Sequence, residues 1–550
     1  MDKSVTQRVP VQFEEGTIDS LFAHLNHSNR PGCAVGVAID GVSVYRKGFG
    51  LANMELPVAL SPGMRLRIGS VTKQFTSFAY LLLCEDGLAS IDDPLAKFLP
   101  DLHPVTHDIT IRQLIGHTSG LRDAYDAFIR FNEPYARYAD VALSVDSENL
   151  LNYYRTIDDR EAPPDSTWIY NNGGYLLLSM VIERITGKSL EEVLRERVFD
   201  PIGMSDSLIL RSDTDFISNR GSGHVINPAG GYEKMSWGLD SFLGAGAMVS
   251  TVNDLLRWLA HMDAPEVGSE STWKTMKTSG RLTNGTLTGY GGGLLLAKYR
   301  GVDTLFHGGA ALGGTAHALK VPAAGLDIVV ISNRQDIWAG KLTEQVMDAC
   351  LPSLMPVKQR VVRPIATGLF RSLGSGRLVQ LLCGAHWLRG QDQCQLVSID
   401  GTDLPFEWDE HGVLWFAGDA DPKISIRLGG ELSNPDKAYL NNRGVVDELV
   451  RLESASSSDP SRISGYYFCE GIRTEATVRV LEGDVRLEAT GAFGSFAYEL
   501  KPLAHGFWRA KPASASRLSF LGAVVAFDEE GQRFRFSCLA MRSLAFHRRH

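Results

Sequence analysis

The sequence predicts a mixed α/β region over residues 1–350 followed by two small all-β barrels, and three observations carry that expectation. From about residue 17 to 350, helical periodicities alternate with short β-branched runs. After Leu351 that periodicity largely stops, and Pro352, Pro356 and Pro364 punctuate a linker over residues 351–365. Beyond it lie short alternating segments separated by Gly-containing turns, the pattern of small antiparallel barrels.

Taken in order, Cys33 to Ile39 and Val42 to Tyr45 read as strands joined by the tight Asp40-Gly41 turn, hence a hairpin. Val71, Phe75, Phe78 and Leu82 recur at spacings of 4, 3 and 4, which predicts a helix from about Ser70 to Glu85 with that face in the core. Leu177 to Thr186, Leu190 to Phe199 and Val252 to Met262 are further helices, each with a Gly or Pro just beyond its end. Ile328 to Ile331 suits a buried strand. In the second half, Thr477 to Val480, Val485 to Glu488 and Arg533 to Cys538 alternate as strands. The polar break Ser454 to Pro460 divides this half into barrels over 366–453 and 463–550, joined by a linker over 454–462. Gly368-Leu369-Phe370 and Gly465-Tyr466-Tyr467 open the two pieces alike.

Composition narrows the function. The net charge of −9 comes without runs of like charge, which disfavours nucleic acid and anionic membrane as partners. The N-terminal residues hold no apolar stretch of roughly 7–15 residues. The densest apolar run, Phe78 to Cys84, is far short of the ~20 residues that span a bilayer. A cytoplasmic protein is the expectation. The seven cysteines are scattered and never spaced Cys-x-x-Cys, so neither a disulfide framework nor a zinc site is suggested. No Gly-x-Ser-x-Gly elbow or His-Glu-x-x-His is present, and Gly187-Lys188-Ser189 lacks the earlier glycine of a phosphate loop. No cofactor is implied.

The chemistry is expected at Ser70-Val71-Thr72-Lys73. Residues three apart on a helix share a face, so Lys73 can lie beside Ser70 near the positive end of the helix dipole. A serine hydroxyl is a weak nucleophile until a base takes its proton, and a desolvated lysine with a lowered pKa can be that base. The spacing alone is weak evidence, because Ser271-Thr272-Trp273-Lys274 repeats it. Two later elements single out the first copy: Tyr170-Asn171-Asn172, and His307-Gly308-Gly309 in a glycine-rich stretch.

The ordered trio Ser-x-x-Lys, Tyr-x-Asn and His-x-Gly resembles the penicillin-recognising serine hydrolases, the class C β-lactamase-like proteins of peptidase family S12. Leu114 to Leu121, with its His-Thr-Ser-Gly, and Thr251 to Trp258 add to the resemblance, which covers roughly residues 20–345. It implies a β-lactamase/transpeptidase-like domain with an antiparallel sheet flanked by helices. It also implies roles. Lys73 and the Tyr170 hydroxyl share the proton moving between Ser70 and the leaving group, in a division left open here. Asn172 holds Lys73 and a substrate amide. The N–H groups of Ser70 and Ala310 form the oxyanion hole, with Gly308 and Gly309 admitting substrate to that strand, and His307 lines the opposite wall.

One catalytic region followed by two β domains is similar to the bacterial D-aminopeptidases of that family. The implied activity is release of N-terminal D-amino acids from peptides, amides or esters through an acyl-enzyme, with β-lactams as inhibitors and a homodimer as the assembly. A loop of the last domain is expected to enter the active site and select for a free amine. The matching segment is Gly491-Ala492-Phe493-Gly494-Ser495-Phe496-Ala497-Tyr498, which lacks an acid for the ammonium unless Glu499 supplies it. Esterase, amidase or D,D-peptidase specificity stays open. So does an inert binding protein on a reused fold, which the intact Ser70, Lys73 and Tyr170 argue against.

Overall fold

The computed structural model of the protein describes residues 8–131, 147–212, 215–227, 229–235, 243–311, 313–356, 361, 363–386, 393–417, 423–453, 460–481, 483–491, 494–513 and 522–549. The first half is built on an antiparallel sheet. Cys33–Ile39 (β1) and Val42–Phe49 (β2) form the expected hairpin, with Asp40 and Gly41 both at positive φ as a twist-matched two-residue turn requires. Leu295–Tyr299 (β3), Val302–Ala311 (β4), Gly314–Val321 (β5) and Leu326–Ser332 (β6) complete it in the spatial order β3-β4-β5-β6-β1-β2.

Alternation along the central strands divides two cores. Ile328 and Val330 of β6 join Val35 and Val37 of β1 under the helices Glu15–Phe22 (α1) and Ala339–Cys350 (α6). Val329 and Ile331 face the other way, toward Thr72–Glu85 (α2), Asn172–Thr186 (α4) and Val252–His261 (α5). Gly36 lets α5 lie close on β1, since a Cβ there would stand 2.4 Å from Cγ1 of Val252.

Helix α2 departs from the one-faced pattern its spacing predicts. A 3₁₀ turn over Gly69–Val71 precedes it, and every residue from Thr72 to Leu83 is buried, polar ones included. It is an interior helix packed on all sides, so Gln74 is held by the Trp258 indole N–H at 2.8 Å instead of by water. The helix expected from Leu177 starts earlier, at Asn172, with the Asn171 side chain accepting from Gly174 N–H at 2.8 Å. The one expected over Leu190 to Phe199 is helical throughout but widens to π geometry from Arg195.

The second half consists of two closed antiparallel barrels, each of eight strands among the described residues. The first runs from Gly368–Ser372 to Val445–Leu452 and the second from Gly465–Cys469 to Met541–Arg549, so the two similar triplets each begin the first strand of a barrel. Residues 454–459 of the polar break between them lie outside the described residues, as do 357–360 and 362 of the first linker. The second barrel shares a continuous apolar core with the first half, through helix Ala124–Phe131 (α3). There Phe131 packs on Phe536 and Phe546, and the Tyr498 hydroxyl donates to the Arg130 carbonyl at 3.0 Å. The first barrel has its own core and reaches the sheet region through the turn at Arg443-Gly444. Among the described residues no helix is long and apolar enough to cross a membrane.

Candidate active site

Ser70 sits in the 3₁₀ turn where α2 begins, against the end of β4. Two glycines make that approach possible. A Cβ on Gly69, whose φ is +52°, would stand 2.7 Å from the Ala310 nitrogen, and a Cβ on Gly309 would stand 1.9 Å from the Ile68 carbonyl oxygen. Both positions therefore exclude a side chain, and the N–H groups of Ser70 and Ala310 come to neighbouring places at the turn.

Lys73 lies one turn along and is wholly buried. Its Nζ donates to Asn172 Oδ1 at 2.8 Å and to the Ala245 carbonyl at 2.6 Å, and it is 3.1 Å from Ser70 Oγ. Burial pushes its pKa down to about 7, while the carboxylate of Asp123 works in the opposite direction. A neutral amine has two hydrogens and one lone pair. With the hydrogens committed to Asn172 and Ala245, the lone pair is left for the Ser70 hydroxyl proton.

Tyr170 covers this pair from the other side, its ring centroid 4.7 Å from Lys73 Nζ and its hydroxyl hydrogen-bonded to Ser70. Burial raises the phenol well above its ordinary value, an effect that the Ser70 hydrogen bond only partly offsets. The phenol thus keeps its proton.

His307 is held neutral. Its Nδ1 donates to the Gly308 carbonyl at 2.6 Å, so Nε2 is the acceptor facing the Tyr290 hydroxyl at 3.0 Å. Burial, followed by the nearby charge of Lys73, lowers its pKa to about 3.

The structure brings Ser70, Lys73, Tyr170, Asn172, His307, Gly309 and Ala310 together. Several residues of the site carried no independent signal in the sequence. Asp123 accepts from the N–H groups of Asn172 at 2.9 Å, Gly173 at 3.0 Å and Tyr125 at 3.0 Å, anchoring the start of α4; burial raises its pKa to about 6. Ala245 belongs to a short helix, Leu243–Gly246, tied down by Thr76 and Ser179 through Gly244. His117 did stand in a noted motif. It accepts from Asn171 N–H through Nδ1 at 3.1 Å and packs on Tyr170 and Tyr290, with ring centroids 4.4 and 4.7 Å away.

The cavity over Ser70 has a volume of about 380 Å³. The described residues of the Gly491–Tyr498 segment do not line it: Phe496 and Tyr498 are buried, Tyr498 against α3, and Ala492 and Phe493 lie outside the described residues. Glu499 does not line it either. The first barrel does, through Lys423 and Arg443. The Arg443 guanidinium lies 4.0 Å from the Trp168 ring centroid and donates to the Thr288 carbonyl at 2.8 Å.

A family model described as Beta-lactamase matches residues 18–346. The D-aminopeptidase of Gluconobacter oxydans is 25% identical over 94% of this chain and 96% of its own length. The D-aminopeptidase of Cereibacter sphaeroides is 29% identical, over 58% of this chain and only 59% of its own length. Among solved structures, the octameric penicillin-binding protein homologue from Pyrococcus abyssi superposes with a TM-score of 0.55 at 20% identity, covering 88% of this chain and 100% of that one.

Proposed function

The chain belongs to the beta-lactamase family, and from that premise we propose that it is a D-stereospecific aminopeptidase working through an acyl-enzyme on Ser70. The observation that carries the chemistry is the position of Lys73 Nζ, buried, with its two hydrogens engaged and its lone pair directed at Ser70 Oγ. In this reading Lys73 takes the hydroxyl proton as Ser70 attacks the carbonyl carbon. The developing oxyanion is received by the N–H groups of Ser70 and Ala310. The Tyr170 phenol, which retains its proton, delivers one to the departing amine and is reprotonated from Lys73. Water then attacks the ester along the reverse route and frees Ser70. His307, neutral with its proton on Nδ1 and an acceptor at Nε2, positions Tyr290 and the wall of the cavity and relays no proton.

The D-aminopeptidase reading is supported by the Gluconobacter enzyme, whose similarity runs through the catalytic region and both barrels. Tyr498 takes part in this reading as a buttress of α3, whose preceding residue Asp123 anchors the helix start that bears Asn172. A cytoplasmic homodimer belongs to the same proposal; sedimentation measures the assembly. The activity is tested by comparing D-alanyl and L-alanyl p-nitroanilides with their N-acetylated forms. Turnover of the free D compound alone supports the reading, and equal turnover of all four removes it.

One observation favours a second reading. The cations Lys423 and Arg443 in the cavity lining suit a substrate bearing a carboxylate, as in a D,D-peptidase. Release of terminal D-alanine from an acetylated peptide ending in D-alanyl-D-alanine distinguishes the two.

A further inference from the structure

The cavity over Ser70 does not end at the face of the sheet that carries the nucleophile. Strand β3 pairs with β4 only as far as Leu295 opposite Phe306, so among the described residues no strand pairs with His307 to Ala311 on that side. His307 and Gly309 face Ser70. Phe306, Gly308 and Ala310 alternate to the opposite face, together with their register partners Leu319, His317 and Thr315 on β5. All of these residues line the same cavity. The space therefore passes around the bare edge of β4 and continues between the sheet and α6.

The passage stays open because Gly308 has no side chain. The nearest contact of a Cβ there would be Cδ2 of His317 at 3.5 Å, so the protein itself leaves that point unfilled. Behind it the chamber is mainly apolar, walled by Leu295, Ala297, Phe306, Leu319, Trp338 and Met347, with Thr304 of β4 and Glu344 of α6 as polar members. His317, only 8% exposed, lines it with its ring 5.1 Å from Phe306, and its Nδ1 is buried without a hydrogen-bond partner among the described residues. Burial lowers its pKa to about 4, so it stands there as a neutral ring. The whole cavity is within the ~300–1,000 Å³ of small-molecule sites, and the acylation chemistry occupies only its Ser70 end.

We propose that this chamber behind β4 is a substrate subsite for an extended apolar chain or ring attached close to the scissile carbonyl, reached over Gly308. The enzyme then prefers substrates with a long apolar substituent to those with a methyl group. The proposal rests on Ser70 as the point of attack, since the chamber is defined by its continuity with that site. It adds a substrate class to the aminopeptidase reading: apolar, and longer than the nucleophile's own surroundings accommodate. A chain on the amino-acid side and a chain on the departing amine have the same chemistry, and the experiment separates them.

Binding is measured by calorimetry on the Ser70→Ala protein, so that turnover does not enter. The ligands are D-alaninamide, D-2-aminodecanamide, with its chain on the acyl side, and N-octyl-D-alaninamide, with its chain on the leaving side. At least one long-chain ligand is expected to bind more than ~10-fold tighter than D-alaninamide, as burying several methylenes demands. Adding Ala297→Trp, which fills the chamber from the edge strand, is expected to abolish that gain and leave D-alaninamide binding within about 2-fold. Leu319→Phe fills it from the other side and serves where the first variant does not melt like the parent. Absence of any chain-length gain, or a gain that survives both fillings, overturns the proposal. Wild-type turnover of D-alanyl p-nitroanilide is read separately, so loss of the aminopeptidase reading leaves this result standing.

Discussion

Lys73 Nζ donates to the Ala245 carbonyl oxygen at 2.6 Å, a shorter contact than its 3.1 Å approach to Ser70. The amine is held by the protein and pointed at the serine instead of being held by it. This makes Lys73 a positioned base whose protonation sets the working pH. Its pKa is lowered to about 7, so the proton leaves as pH rises through that value, and the base is present above and absent below. kcat/KM is expected to climb through about pH 7 to a plateau. Lys73→Arg, whose guanidinium cannot give up its proton, is expected to lose at least ~10³-fold at every pH. A pH–rate profile of kcat/KM on both proteins checks this.

Gly309 lies so close to Ile68 that any side chain must push the strand and the nucleophile turn apart. Gly309→Ala is expected to displace the Ala310 N–H from the oxyanion position, at a cost in kcat of about 10²–10³-fold, the range for losing one such donor. Steady-state kinetics together with a melting curve check that the loss is in chemistry and not only in folding.

Asp123 acts through α4. Asp123→Ala leaves the N–H groups of Tyr125, Asn172 and Gly173 without their acceptor, and each orphaned buried donor costs about 1–3 kcal/mol. Its carboxylate also raises the pKa of Lys73, so its removal favours the neutral amine. The midpoint of the pH–rate profile is expected to move below 7, a shift that a purely structural loss would not produce. Denaturant unfolding and the pH profile of the surviving activity are the two measurements.

Arg443 tests the contribution of the first barrel. It lines the cavity while stacked on Trp168, so Arg443→Ala removes a cation from the wall without touching Ser70. The variant is expected to lose about 10-fold in kcat/KM on peptides with a free terminal carboxylate, a charge-assisted bond being worth ~1.5–3 kcal/mol, and to keep its rate on amides. A competition assay between the two substrate types reads the ratio directly.

What the sequence made legible follows from the distance over which its signals act. Ser70 and Lys73 are three residues apart, in the 3₁₀ turn and the first turn of α2 that continues it, and this helical winding sets them side by side. The barrels are legible because alternation and turns are local. Asn172 and Ala245 stand 99 and 172 residues from Lys73, and no periodicity links such positions. Asn172 was found through the ordered trio, whereas Ala245 contributes only a backbone carbonyl, which no residue identity encodes. The polar residues of α2 conceal its full burial, because Thr72, Gln74, Thr76 and Ser77 look like a solvated face until their partners are known. Likewise nothing local marks Arg443, one exposed-looking cation at a hairpin tip, as part of the cavity wall.

The central claim is a covalent bond to one oxygen, and intact-protein mass spectrometry after exposure to a penicillin measures it most directly. One added penicilloyl mass is expected on the wild-type chain, mapped by peptide digestion to Ser70, and no adduct on Ser70→Ala folded to the same melting temperature. An adduct that persists in Ser70→Ala, or full turnover by that variant, would contradict it.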